Sequence, residues 1–281
     1  MKRINEAIAE KFATMTKGQK VLSEFVLEHC EKAAFMNSFE LAAVSGVSQS
    51  TTVRFALALG YSGYTEFQQA MQAELKYRLS SLERFELMQD EPSDNDLYDS
   101  IVGADALNIK KTAALNDIEV LKSLCTRLSF ASKVYIYGQG FCSAAAMYLY
   151  AYLKVILPNV CCVNLTGLEP LQSIAEIDSG DLLLTIGFPQ HSRATRRLVG
   201  YAHSREACVC TISESHDSEI ARQAEVSLVS EYGDYGVNGS LAPVISLCGA
   251  LVCLLTKSDQ RAQRRLKEAA QADSYLPEED A

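Results

Sequence analysis

The hydrophobic positions change character near residue 133. Before it, apolar residues recur at every third or fourth place, so residues 1–79 read as helical and residues 101–130 return to that pattern. After it, short β-branched and aromatic runs alternate with helical stretches. KVYIYG (133–138), VCCVNL (160–165), DLLLTIG (181–187), ACVCTI (207–212) and EVSLVS (225–230) predict five strands. Each is apolar almost throughout, as strands covered on both faces are. Helical stretches between most of them predict a five-stranded parallel sheet flanked by helices. Residues 80–100 are polar and hold the breaker cluster Glu91-Pro92-Ser93-Asp94-Asn95-Asp96, which predicts a linker. The expected organisation is an all-α domain over 1–79, a linker over 80–100 and an α/β domain over 101–281.

Within the helical part, Thr16-Lys17-Gly18-Gln19 has the spacing of a capping box, and so does Asn37-Ser38-Phe39-Glu40. The second box starts a short helix that ends at Gly46, and another helix begins at Ser48 and runs to Gly60. Leu41, Ala42 and Val47 are expected inside, and Thr52 and Phe55 return to the core from the second helix. Two helices joined by a short glycine turn make the helix-turn-helix pattern. Its second helix then presents Ser48, Gln49, Ser50, Val53 and Arg54 outward. Glutamine can pair with an adenine edge and arginine with a guanine edge. The same pattern also suits a helical dimerisation module with no DNA contact.

Charge sharpens this division. The chain carries a formal −9, but residues 1–80 hold nine basic and eight acidic side chains, so the acidity belongs to the rest. A near-neutral module can bind DNA if its basic groups face the phosphates, with weak long-range attraction. The nine cysteines form no disulfide framework; Cys161, Cys162, Cys208 and Cys210 sit in strand-like runs as reduced thiols. His29, His191, His203 and His216 make no metal motif with them. No apolar run reaches the length of a membrane span, and MKRINEAIAEKFATM lacks the apolar stretch of a signal peptide. A cytoplasmic protein with no membrane partner, no metal and no cofactor is expected.

The stretch from Thr16 to Leu75 resembles the N-terminal domain of the RpiR family of bacterial regulators. The resemblance is carried by MTKGQKVLSEFVLEH, GVSQSTTVRF and LGYSGYTEF. Thr52 stands where that family more often has valine, a change compatible with burial. The resemblance implies operator DNA as a partner and a C-terminal SIS (sugar isomerase) domain, which residues 101–256 resemble. SIS domains bind phosphorylated sugars at the carboxyl ends of their strands, where helix N-termini offer N–H groups to anions.

Two loops carry the expected effector site. Gly138-Gln139-Gly140-Phe141-Cys142-Ser143 follows a strand and opens a helix. It is no dinucleotide fingerprint, because the third glycine is missing. SIS domains commonly have serine where Cys142 stands. Gly187-Phe188-Pro189-Gln190-His191-Ser192-Arg193-Ala194-Thr195 replaces the Ser-Gly-x-Thr loop of most sugar-phosphate SIS domains. It resembles a Phe-Pro-Arg-Tyr-Ser-like branch in which Gln190 and His191 have displaced arginine and tyrosine, and loss of that arginine removes a bidentate anion clamp. Gly138, Gly140, Ser143, Gly187, His191, Ser192 and Ser240 are the expected effector contacts. A sugar phosphate, another small anion, or a site kept only for dimerisation all fit these loops. The chain is expected to be a homodimer or homotetramer and a regulator without catalytic residues. The rival is a SIS-fold sugar-phosphate isomerase, with His191 and Glu169 as its only candidate bases.

Overall fold

The computed structural model describes residues 4–78, 93–188, 193–232 and 239–273. The expected effector contacts His191 and Ser192, and most of the expected linker, lie outside the described residues. The chain divides into two compact units, the first holding the described residues up to 78 and the second those from 93 onward.

The first unit is helical: α1 (Ile4–Lys11), a 3-10 turn, α2 (Lys17–Glu28), α3 (Cys30–Ala33), α4 (Ser38–Ser45), α5 (Gln49–Ala58) and α6 (Tyr64–Arg78). Both capping boxes form. Gln19 Oε1 accepts the Thr16 N–H at 2.9 Å, and Asn37 Oδ1 accepts from Phe39 and Glu40 while Glu40 Oε2 accepts the Asn37 N–H at 2.8 Å. Leu22, Val26, Leu41, Phe55, Phe67 and Met71 form the buried core, with Phe55 and Phe67 edge to face at 5.6 Å.

The second unit opens with α7 (Asp94–Leu115), which starts inside the stretch expected to be linker. The polar cluster read as a breaker is a helix start. Ser93 Oγ accepts the Asp96 N–H at 3.2 Å, and Asp94 and Asp96 lie at the positive end of the helix dipole. Then follow α8 (Ile118–Phe130), β1 (Val134–Gly138), α9 (Cys142–Ile156), β2 (Val160–Cys162), α10 (Pro170–Ser173), β3 (Leu182–Ile186), α11 (Arg193–Ser204), β4 (Cys208–Ser213), β5 (Val226–Val229), α12 (Ala242–Ser258) and α13 (Gln260–Asp273). The strands form a parallel sheet in the order β2-β1-β3-β4-β5.

Alternate residues of each strand serve the two faces. Val134, Ile136, Leu182, Leu184, Cys210 and Ile212 join the core with α8, α9 and α12, whereas Tyr135, Tyr137, Leu183 and Val209 pack with Leu198, Val199 and Ala202 of α11. β2 is shorter than its apolar run predicts, because Val163–Leu165 turn into a 3-10 helix that carries Asn164 away from the ladder. The edge strand β5 is clipped by the α7–α8 turn: Asn116 Nδ2 donates to the Val229 carbonyl at 2.6 Å and Asn116 Oδ1 accepts the Val229 N–H at 2.9 Å. The α12 helix is apolar on almost every side in sequence, yet burial selects one stripe, Val244, Leu247, Cys248, Leu251 and Leu255, and leaves Cys253 exposed.

Candidate functional site

The turn between α4 and α5 follows from its residues. Gly46 caps α4 at φ +66°, the left-handed region that glycine enters without strain. Ser48 Oγ then accepts the Thr51 N–H at 3.3 Å and starts α5. The approach of α2 to α5 requires a glycine: a Cβ on Gly18 would meet Thr51 Cγ2 at 3.0 Å. Gln19 Nε2 reaches the Arg54 carbonyl at 3.5 Å and ties the two helices. Leu41, Ala42, Thr52 and Phe55 are buried, and Gly60 follows α5 at φ +100°.

This packing turns Ser48, Gln49, Ser50 and Arg54 to solvent. Val53, expected outward with them, is half-buried against the core, because its helical position borders Thr52 and Ala56 on the inner face. Gln49 Nε2 donates to Ser38 Oγ at 3.0 Å, which joins the start of α5 to the start of α4. Ser48 Oγ also lies 2.9 Å from Ser50 Oγ, so the exposed hydroxyls are oriented by one another.

In the second unit, β1 and β3 are neighbours while their chain connections run to opposite sides of the sheet. That is the topological switch point, and in open α/β sheets ligands bind outside the carboxyl ends of the strands at such a point. Gly138 ends β1 beside Ile186, the last residue of β3. Gly138 allows no side chain: a Cβ there would lie 2.2 Å from the Cys142 carbonyl oxygen. Asn164 holds it from the other side, with Oδ1 accepting the Gly138 N–H at 3.0 Å and Nδ2 donating to its carbonyl at 2.7 Å. Gly140 sits at φ +54° in the turn. Gly187 is buried, its N–H given to the Ile212 carbonyl at 3.1 Å.

The expectation that the following helix offers N–H groups to an anion is modified here. The Cys142, Ser143 and Ala144 N–H groups donate to the Gln139, Gly140 and Phe141 carbonyls at 3.0–3.1 Å, so the first turn of α9 closes on itself. Ser143 is half-buried in that turn. Cys142 is buried, and burial pushes its thiol up to about 11, with the Glu214 carboxylate acting the same way and a Phe188 backbone hydrogen bond opposing. Sequence reasoning missed a polar bridge over the strand ends: Thr195 Oγ1 lies 3.1 Å from Gln139 Oε1 and joins α11 to the β1 turn. It also missed Asn164, which it placed inside a strand, and Glu214, just past β4. Phe188 stacks on Tyr232 at 5.5 Å.

Further polar groups near these strand ends make local hydrogen bonds and ion pairs. Ser240 Oγ accepts the Ala242 N–H at 3.1 Å at the start of α12. Ser213 donates to the Ser215 carbonyl at 3.0 Å and lies beside Ser218, so these hydroxyls brace their own turn. Arg193, Arg196 and Arg197 are exposed, with Arg196 3.7 Å from Glu219.

Comparison with known proteins agrees with this division. Residues 2–78 match the helix-turn-helix domain of the rpiR family and residues 127–247 match the SIS domain. An HTH-type transcriptional regulator of Clostridium perfringens is 20% identical over 215 residues, 76% of each chain. The Vibrio vulnificus NanR protein, solved with ManNAc-6P, superposes with a TM-score of 0.62 at 20% identity, covering 98% of this chain and 99% of that one. The sugar isomerase domain of an RpiR transcription factor from Sphaerobacter thermophilus gives 0.57 at 21% identity, over 61% of this chain and 97% of its own. With a helix-turn-helix in the first unit and a five-stranded SIS sheet in the second, the chain belongs to the RpiR family of transcriptional regulators.

Proposed function

We propose that this regulator reads operator DNA through α5 and that a small anionic metabolite, a sugar phosphate first among them, sets its DNA affinity from the crevice at the β1–β3 switch point. The observation that carries the reading is the α5 surface: a capped helix after a glycine turn, with Ser48, Gln49, Ser50 and Arg54 exposed along its start. Arg54 is the candidate for a guanine edge and Gln49 for an adenine edge, while the serines suit phosphates.

In the second unit the effector contacts are Gly138, Gly140, Ser143 and Gly187, with His191 and Ser192 following in the chain and Ser240 before α12. Gln139 and Thr195 are added by the bridge that they form. The crevice binds and does not turn over its ligand; Glu169, one of the two candidate bases, is an exposed residue at the start of α10. The chain acts in the cytoplasm as a homodimer or homotetramer. Met147, Tyr152 and Val155 leave apolar surface exposed on α9, which a second copy would cover. No single described helix is long and apolar enough to cross a membrane.

The test uses the full chain. Thermal-shift screening against sugar phosphates and other small anions identifies the effector by mass action, and fluorescence anisotropy on operator DNA selected from a randomised pool measures affinity with and without it. A stabilising ligand that also changes operator affinity supports the reading. Ser143→Ala should then weaken the effector by about 1.5–3 kcal/mol if it bonds a charged group, with ligand-free DNA binding unchanged. Absence of specific DNA binding, or turnover of a sugar phosphate, would overturn it.

A further inference from the structure

A second cluster of reactive groups lies at the amino end of β4, the end of the sheet away from the crevice. Cys208 and Cys210 are two residues apart on one strand, so their side chains leave the same face. Their sulfurs are 3.8 Å apart. Cys210 is buried and Cys208 is half-buried, so solvent reaches the pair through Cys208. Arg127, an exposed residue of α8, donates from Nη1 to Cys208 Sγ at 3.5 Å. Glu225 is the nearby acid, and its carboxylate is engaged by the Val209 N–H at 2.7 Å.

We propose that Cys208 and Cys210 form a peroxide-reactive dithiol, with Cys208 the attacking sulfur and Cys210 the resolving one. In the first step the Cys208 thiolate attacks one oxygen of hydrogen peroxide. An S–O bond forms, the O–O bond breaks, and hydroxide leaves and takes a solvent proton. The sulfur is oxidised to sulfenic acid and the peroxide is reduced to water. In the second step the Cys210 sulfur attacks the sulfenic sulfur, the S–S bond forms, and the hydroxyl leaves as a second water with the Cys210 proton. Two thiols lose two electrons and two hydrogens, and one peroxide accepts them.

Each neighbour has a part in this. In this arrangement the Cys210 S–H serves as donor across the 3.8 Å sulfur–sulfur contact, and Arg127 neutralises the thiolate. Together they hold the Cys208 thiol down to about 7, the Cys210 hydrogen bond contributing most, while burial and Glu225 act against them. Cys210 is pushed well up by the same hydrogen bond and by its burial, so it retains the proton that it donates. The other buried thiols lack this arrangement: burial alone pushes Cys248 up to about 12. Closing the bond joins Cα atoms about 6.6 Å apart in a regular strand, near the long limit for disulfides. Such a bond is strained and easily reduced, which suits a reversible switch better than a permanent staple.

Cys253, exposed on α12, serves as the internal reference. Full-length protein is treated with limiting hydrogen peroxide and mapped by peptide mass. The peptide holding Cys208 and Cys210 should lose two hydrogens and regain them with a phosphine reductant. Cys210→Ser should trap the sulfenic acid, giving a dimedone adduct at Cys208. Iodoacetamide should label Cys208 about threefold faster than Cys253 at neutral pH, once the lower nucleophilicity of a more acidic thiol is allowed for. Arg127→Gln, a surface change that leaves the core intact, should reduce that excess. Labelling of Cys208 no faster than Cys253 in the unmutated chain, or dimedone on Cys253 with none on Cys208, would overturn the proposal.

Discussion

The turn before α5 and the turn after β1 both place glycine just ahead of a helix, for opposite reasons. Gly46 has open space around its Cα and a backbone at φ +66°, so the demand is conformational. Gly138 lacks a positive φ, yet a Cβ would collide with the Cys142 carbonyl, so the demand is for room. The first turn pushes its helix outward, where Ser48, Gln49, Ser50 and Arg54 stay exposed. The second folds inward: Asn164 holds its glycine and the first turn of α9 uses its own N–H groups. One leaves side chains displayed to solvent, the other lets backbone approach closely.

Substitutions test this contrast directly. Gly138→Ala should have the largest effect, about 3 kcal/mol or more of lost stability, since backbone must move to admit the methyl group. Chemical denaturation of the full chain would follow it, and a change below about 1 kcal/mol would show that the turn yields easily. Gly46→Val should cost about 3 kcal/mol through the left-handed backbone. Gly46→Ala should cost about half as much, and equal costs would show that the left-handed backbone alone, with no share from the branched side chain, sets the loss. Arg54→Ala should weaken specific DNA binding by about 1–3 kcal/mol at fixed salt while the melting temperature stays put. Equal affinity on operator DNA would remove Arg54 from the reading surface. The smallest effect has the opposite sign. The Thr52 hydroxyl is buried with no hydrogen-bond partner among the described residues, so Thr52→Val should stabilise the first unit by about 1 kcal/mol. A loss of stability in a thermal melt would mean that the hydroxyl has a partner.

The same contrast explains what was legible in the chain. Helix starts and stops are local: Thr16 with Gln19, Asn37 with Glu40, and Gly46 each announce themselves within four residues. The exposed face of α5 could therefore be read almost residue by residue, and Val53 departs from it only because its burial is set by its neighbours in three dimensions. Central strands were equally plain, since burial on both faces leaves unbroken apolar runs. The crevice is another matter. Asn164 reaches Gly138 across 26 positions and Gln139 meets Thr195 across 56, and neither pairing leaves a spacing that a reader could detect. The start of α7 was hidden for a different reason. Serine and aspartate are as common in loops as at helix starts, and only the apolar positions further on separate the two.

Asn116 gives the protein an internal reporter. Its carboxamide ties the end of α7 to both backbone groups of Val229, and Thr112 from the same helix accepts the Glu231 N–H at 2.9 Å. Those two amides of the sheet edge exchange with solvent slowly only while α7 stays docked. Since α7 is the first helix of the second unit in the chain, deuterium uptake at Val229 and Glu231 reads its release without any label on the DNA-binding unit. Faster uptake on adding operator DNA or an effector would show that binding loosens this clip.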